Sequence, residues 1–497
     1  MKKTSLTTAI IAGIAGVAGI SNMASAVYLN NDGLGQVLIY PYYTVNAGNS
    51  TIVTVVNTTA AGKAIKVRFL ESYNSREVLD FNLYMSPLDV WTAQVVPVGS
   101  GAGVFSNDNS CTVPALPKTS ATAYAFSTNA FTGGNADGGP TATTRTLEGY
   151  VELIEMGTVT NATNGSLDAI THSAGIPSSC AQVVGAWAGG YWAGNAAIDI
   201  SSPTGGLFGS GTIVNVLQGT VEGYNADAID QFWVDPLFVS HHTAPGSILP
   251  NLATGSSTVS YVFAPGPVGT TPVLATTGYA KSVDAVSSLF MADAIYNEYW
   301  TSGGTAASSD WVVTFPTKRF YVDRQIIGAA SPAIKPFDLP FTSANGGTSC
   351  TQIALTYTDR EEGFSAPSIG FSPPPPAAPA NSLCYEAQVV TFNQGAATRS
   401  AVLGSALLAN ITTGYNNGWA QISFFDGTAG TANHVLGPAP VTTTPGTTNQ
   451  FRGLPVTGFW VASLINGNLG GVLANYSTLY RHKLHRFCTA GGAANCS

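Results

Sequence analysis

The stretch Ala64-Ile-Lys-Val-Arg-Phe-Leu70 alternates strictly, with Ile65, Val67 and Phe69 on one side of an extended chain and Lys66 and Arg68 on the other. A period of two belongs to a strand, because successive side chains there point to opposite faces. Val78–Tyr84 alternates in the same way, while Gln36–Tyr40 and Thr51–Val56 are β-branched and aromatic runs parted by an Asn/Gly turn at Asn46–Asn49. Strands this closely spaced, with turn signals between them, predict an antiparallel sandwich whose nearest analogue is an immunoglobulin-like domain.

The pattern continues to the C-terminus. Further strands are expected at Glu148–Glu155, Gly211–Leu217, Trp311–Phe315, Glu386–Phe392, Trp419–Phe425 and Thr457–Leu464, and Thr132–Thr144 reads as an exposed loop. Val283, Val286, Phe290, Ala294 and Asn297 follow three-to-four spacing, which predicts one short helix near 283–300. No fixed-period repeat is present, which argues against a propeller or β-helix. The expected organisation is multi-domain and all-β. It has a leader at 1–26, a sandwich at 27–110 and a β-rich middle domain at 111–270. A helix-plus-β domain at 271–371, a Pro-rich loop at 372–383 and a C-terminal β domain at 384–497 follow.

Lys2 and Lys3 precede an apolar run from Leu6 to Ile20, followed by Ala24-Ser25-Ala26. This is the order of a secretory signal peptide, with cleavage expected after Ala26 and a mature chain starting at Val27. The run is shorter than the roughly 20 residues a membrane helix needs, and no membrane-spanning helix is expected beyond it. The expected location is therefore outside the cell or on its outer surface, with the periplasm as the alternative. Only 9% of residues are charged, and 27 acidic outnumber 19 basic ones. That balance excludes nucleic acid and anionic lipid, which require clustered Lys and Arg.

An exported chain with an even set of cysteines is expected to be disulfide-bonded. Spacing suggests neighbour pairing, Cys111 with Cys180, Cys350 with Cys384 and Cys488 with Cys496, although six cysteines permit other connectivities. A metal cluster is the competing reading, but no two cysteines stand at C-x-x-C spacing.

Candidate chemistry is sparse. Thr171-His-Ser-Ala-Gly175 approaches the G-x-S-x-G nucleophile elbow, but Thr171 replaces the first glycine and Pro177 stands where a helix should begin. His241-His242 and His482 with His485 could share a metal, but no neighbouring carboxylate in sequence would orient them, and Arg481, Lys483 and Arg486 would repel a cation. Tyr28–Gly33 lacks two hard ligands of a calcium loop and reads as a turn. Glu361 and Glu362, in Asp359-Arg-Glu-Glu362, would point to opposite faces of a strand, so a charged loop tip is expected there. Trp187-Ala-Gly-Gly-Tyr-Trp192 is the one candidate ligand site: Trp187, Tyr191 and Trp192 could stack on sugar rings, or form a core cluster. The charged run Asp310–Arg324 holds no nucleophile–base pair. It is expected to be a core strand stopped by Pro316, leading into a strand laced by ion pairs, with Lys318 and Arg319 at the surface.

Gly211–Ile229 and Asp310–Asp323 resemble runs in exported surface proteins of Gram-negative bacteria, and this resemblance implies a cell-surface setting and no activity. No catalytic residue, metal or cofactor is expected. The leading expectation is a non-enzymatic surface protein with a structural or adhesive role, whose partners are other copies of itself or matrix components. The alternative is a carbohydrate-binding module or glycan-active hydrolase.

Overall fold

The computed structural model describes residues 26–235, 237–264, 273–301, 307–365, 370–372, 382–425, 434–437 and 449–490. The leader up to residue 25, most of the Pro-rich loop and Cys496 lie outside the described residues. Strands dominate, and nearly all pair antiparallel, so the chain is all-β.

A ten-stranded sheet runs in the order Val273–Gly278, Val259–Ala264, Ala26–Leu29, Asp227–Asp230, Val37–Thr44, Glu148–Val159, Gly62–Glu71, Glu77–Met85 and Cys111–Val113, with Ile200–Ser201 beside Glu148–Val159. A six-stranded sheet packs on it, in the order Thr220–Asn225, Leu207–Asn215, Asn49–Asn57, Val90–Val98, Gly101–Phe105 and Tyr124–Ala125. Ile65, Val67 and Phe69 share one core with Val53, Val55 and Trp91 of the second sheet, as the alternation requires. The strand Glu148–Val159 lies between Val37–Thr44 and Gly62–Glu71, so one sheet crosses the expected boundary at 110. Ten strands in one sheet outnumber the roughly seven to nine of a whole immunoglobulin domain, and the likeness stops at two packed layers.

A second pair of sheets follows. Phe364–Ser365, Ala354–Asp359, Asn417–Ser423, Ala294–Trp300 and Lys483–His485 form five strands, and Gly370–Ser372, Leu408–Thr412, Ala387–Asn393, Ala307–Thr314, Thr457–Leu469 and Val472–Arg481 form six. Trp311, Val313, Val390 and Trp460 share a core with Ile295, Tyr299, Leu355 and Ile422. On the opposite face of the six-stranded sheet, Val312, Val389, Phe459 and Val461 join the core of the first sandwich, where Phe459 stacks on Tyr224 at 5.1 Å. The centre of that sheet is buried on both faces. This is why Trp311–Phe315 is apolar on both sides except for Thr314, whose hydroxyl donates to the Pro41 carbonyl at 2.6 Å.

Two local expectations are corrected. The helix spans Ser282–Phe290 only, and Ala294–Trp300 is a strand. Ile295, Tyr296, Tyr299 and Trp300 fit three-to-four spacing but are β-branched or aromatic, and sheet pairing with Asn417–Ser423 decides for strand. After Pro316, the charged segment forms two helical turns, Arg319–Val322 and Arg324–Ile327, instead of a strand. A helical turn brings Arg319 within 3.0 Å of Asp323, four residues on.

Several of the charges are inside. Lys63, Lys66, Arg68, Arg76, Arg145 and Lys318 are all buried, which also corrects the surface placement of Lys318. Lys63 meets Glu155 at 2.8 Å, Arg68 meets Glu77 at 2.7 Å and Glu152 at 2.5 Å, and Arg145 meets Glu71 at 2.9 Å. The polar face of Gly62–Glu71 is therefore covered, and its cations are paired beneath the cover. Asp310 accepts N–H bonds from Val402 and Leu403, each at 2.8 Å, and from Ala401 at 3.0 Å, fixing the loop that follows Ala387–Asn393. Cys111 is bonded to Cys180 and Cys350 to Cys384, and Cys488 is also in a disulfide.

Candidate contact surface

Two hairpins lie side by side where the six-stranded sheets meet. One joins Leu207–Asn215 to Thr220–Asn225, and the other joins Thr457–Leu469 to Val472–Arg481. The second turns at Gly470 and Gly471, whose φ values of 61° and 89° give the left-handed pair that suits the twist of a two-residue hairpin. Thr220–Asn225 and Val472–Arg481 are both edge strands, yet side chains link them in place of a backbone ladder. The Val221 N–H donates to Ser477 Oγ at 3.2 Å, this hydroxyl donates to the Val221 carbonyl at 3.0 Å, and Asn475 donates to the Gln218 carbonyl at 2.6 Å. Gly219 lets the tips touch, since a Cβ there would stand 2.3 Å from Leu473 Cδ2.

What the tips present to solvent is apolar. Leu217 is 86% exposed and Val472 67%, and Val216, Val221, Leu469, Leu473, Tyr476 and Tyr480 are also exposed. Residues 200–221 and 453–480 contain no Asp, Glu, Lys or Arg. Glu222, beneath this surface, is buried, and burial pushes its carboxyl up to about 7 against hydrogen bonds from Ser477 and Thr220. A contiguous uncharged, apolar projection is unusual on a protein surface and is the signature of a contact site. Each hairpin tip is charge-free in sequence and carries Leu and Val beside its turn residues, but only the fold sets one tip against the other.

The residues singled out from sequence lie elsewhere and mostly serve packing. Trp192 is buried and stacks on Tyr84 at 5.2 Å, and Trp187 donates from Nε1 to the Tyr84 hydroxyl at 2.8 Å. Tyr191 is partly buried, its hydroxyl 2.9 Å from Ser166 Oγ and its ring edge-on to Trp192. Trp187 and Trp192 meet each other and His242, with Tyr191 against Trp192 alone, in a satellite core beside the Cys111–Cys180 bond.

The histidines go separate ways. His241 stacks on Trp233 at 3.5 Å and lies 2.8 Å from Asp235, and His485 lies 2.6 Å from Asp293, so both acquire the carboxylate that the sequence did not show beside them. His242 accepts from the Tyr84 hydroxyl and donates to the Ala196 carbonyl, both at 2.8 Å, and burial pulls it down to about 4. His482 donates to the Val312 carbonyl at 2.8 Å, and burial likewise pulls it to about 4. Among the described residues no three potential ligands converge on a metal position.

Ser173 is exposed at a two-residue strand, and the next element is another short strand, Ile176–Pro177, with no helix before Cys180. Its neighbour His172 does meet a serine and an aspartate, which sequence reasoning missed because they lie more than eighty residues upstream. Ser86 Oγ is 2.8 Å and Asp89 Oδ2 3.9 Å from the same ring nitrogen, Nδ1. A relay needs serine and aspartate on opposite nitrogens, so this trio cannot pass a proton through the ring. Glu361 is at an exposed tip, 2.9 Å from Arg360, and Asp32 accompanies an Asn30-centred turn. No helix among the described residues is long and apolar enough to cross a membrane. No protein-family model, curated protein or solved structure matches the chain.

Proposed function

We propose that this is an exported, non-enzymatic protein that works by protein–protein contact at the cell surface or in its matrix, through the paired hairpin tips. The observation that carries the reading is the uncharged apolar projection that the two hairpin tips form together. Low surface charge weakens repulsion between copies, and exposed Leu217, Val472 and Leu473 gain by leaving water when another protein covers them. Copies of the same chain, or matrix proteins, are the partners this surface suits. An acidic chain is a poor match for anionic lipid. Export is in keeping with the disulfides and with a first strand, Ala26–Leu29, whose Val27 is buried between Asp227–Asp230 and Val259–Ala264.

A photo-crosslinking residue at position 217 tests this in producing cells. The reading expects a discrete cross-linked protein species in the envelope or medium, absent when the probe is placed at Arg360 on the distant charged tip. Only uncross-linked monomer from position 217 would refute it.

A further inference from the structure

Beside the hairpins, an open cleft of about 780 Å³ lies between the first strand and the C-terminal segment. This volume suits a small molecule, for which sites of roughly 300–1,000 Å³ are usual. Its walls are largely apolar, with Leu29, Val262, Phe290, Val456 and Leu484 among the lining residues. Two guanidiniums line it as well. Arg481 is already paired with Asp227, which also accepts from the Thr457 hydroxyl. Arg486 is different. Its Nη2 donates to the Leu289 carbonyl at 2.8 Å, at the C-terminal end of the helix Ser282–Phe290, which fixes the guanidinium in place. Its Nε is sealed from solvent and has no hydrogen-bond partner, and no carboxylate among the described residues lies within ion-pairing distance of the guanidinium, Asp227 acting on it only through space.

A part-buried cation without an ion-pair partner is unfavourable unless an anion completes it. Arg481 and Arg486 against Asp227 leave the cleft one net positive charge, which matches a monoanion, and a planar carboxylate suits a guanidinium edge. The apolar walls then require an apolar body behind the charge. We infer that the cleft binds an amphipathic monocarboxylate, its carboxylate on Arg486 and its hydrocarbon part against Leu29, Phe290, Val456 and Leu484.

Dodecanoate and dodecanol are the probes, titrated into the purified full chain by calorimetry. Dodecanoate should bind saturably and at least tenfold more tightly than the alcohol. Arg486→Gln should erase this preference, and Leu484→Trp, at an exposed lining position, should weaken both ligands at least tenfold. No saturable binding of dodecanoate, equal affinity for the two probes, or an Arg486→Gln protein that keeps the preference would each overturn the inference. If Arg486→Gln does not fold, Leu484→Trp decides: a folded variant that binds dodecanoate as tightly as the parent also overturns it.

Discussion

Lys318→Ala separates a buried structural lysine from a surface charge. The ammonium is fully buried and donates to the Cys384 carbonyl at 3.1 Å and the Tyr385 carbonyl at 3.2 Å. Truncation removes one charge-assisted hydrogen bond from each carbonyl, at about 1.5–3 kcal/mol each, while the Ser349 N–H at 3.3 Å and Gln388 Nε2 at 3.2 Å still donate to them. It also empties a stem comparable to leucine, at about 2–5 kcal/mol. Against this, burial pulls the Lys318 ammonium down to about 8, a shift equivalent to about 3 kcal/mol of charge penalty that disappears with the charge. The nearby Glu386 carboxyl, which burial pushes up to about 8, is neutral at pH 7 and leaves no orphaned anion behind. The net expectation is a loss of about 3 kcal/mol for Lys318→Ala. Lys318→Met keeps the stem and sheds the charge, and should cost about 1 kcal/mol or less, because the lost hydrogen bonds and the relieved penalty nearly cancel. Urea unfolding followed by tryptophan fluorescence measures both. A loss below about 1 kcal/mol for Lys318→Ala, the value of a solvated surface charge, refutes the reasoning.

Trp311→Ala should lose about 3–5 kcal/mol, since the ring is fully buried and its Nε1 bond to the Glu298 carbonyl goes with it; thermal melting checks this. Glu222 has a folded pKa near 7 against 4.5 unfolded, so the folded state retains its proton longer. Its stabilising contribution is full below pH 4.5 and is lost as pH rises to 7, by at most about 3 kcal/mol, and Glu222→Gln should flatten this decline in pH-dependent melting. Non-reducing peptide mapping of the purified chain should recover Cys111–Cys180 and Cys350–Cys384, and any free thiol at these positions contradicts the structure.

The strands were legible because alternation is a local property. Ile65, Val67 and Phe69 point inward as the spacing required. What covers the other face of that strand is not local: the partners of Lys63 and Arg68 at Glu155 and Glu152 stand some ninety residues away, so alternation alone does not tell that the polar face is buried. The helix ran too long on paper because Ile295 and Tyr299 satisfy both periodicities, and only pairing with Asn417–Ser423 distinguishes them. Lys318 was misplaced for a related reason: Pro316 correctly ended the strand, but the turn after it carries the lysine inward under the Cys384 and Tyr385 carbonyls. For the candidate site, Trp187 and Trp192 drew attention as aromatics among glycines, and Tyr84 and His242, distant in sequence, take up their faces. The hairpin tips went unremarked because each is a short run of Leu and Val next to a turn, and significance comes only from placing one against the other.

Sedimentation velocity of the mature protein, with Leu217→Asp/Leu473→Asp as its partner sample, tests the contact surface most directly. Both positions are solvent-exposed, so the variant should fold with the parent's melting temperature. The account predicts that the parent associates with itself or with co-purified matrix protein as concentration rises, and that the double variant sediments as monomer. A parent that remains monomeric at every concentration and sediments identically to the variant, with and without matrix extract, contradicts it.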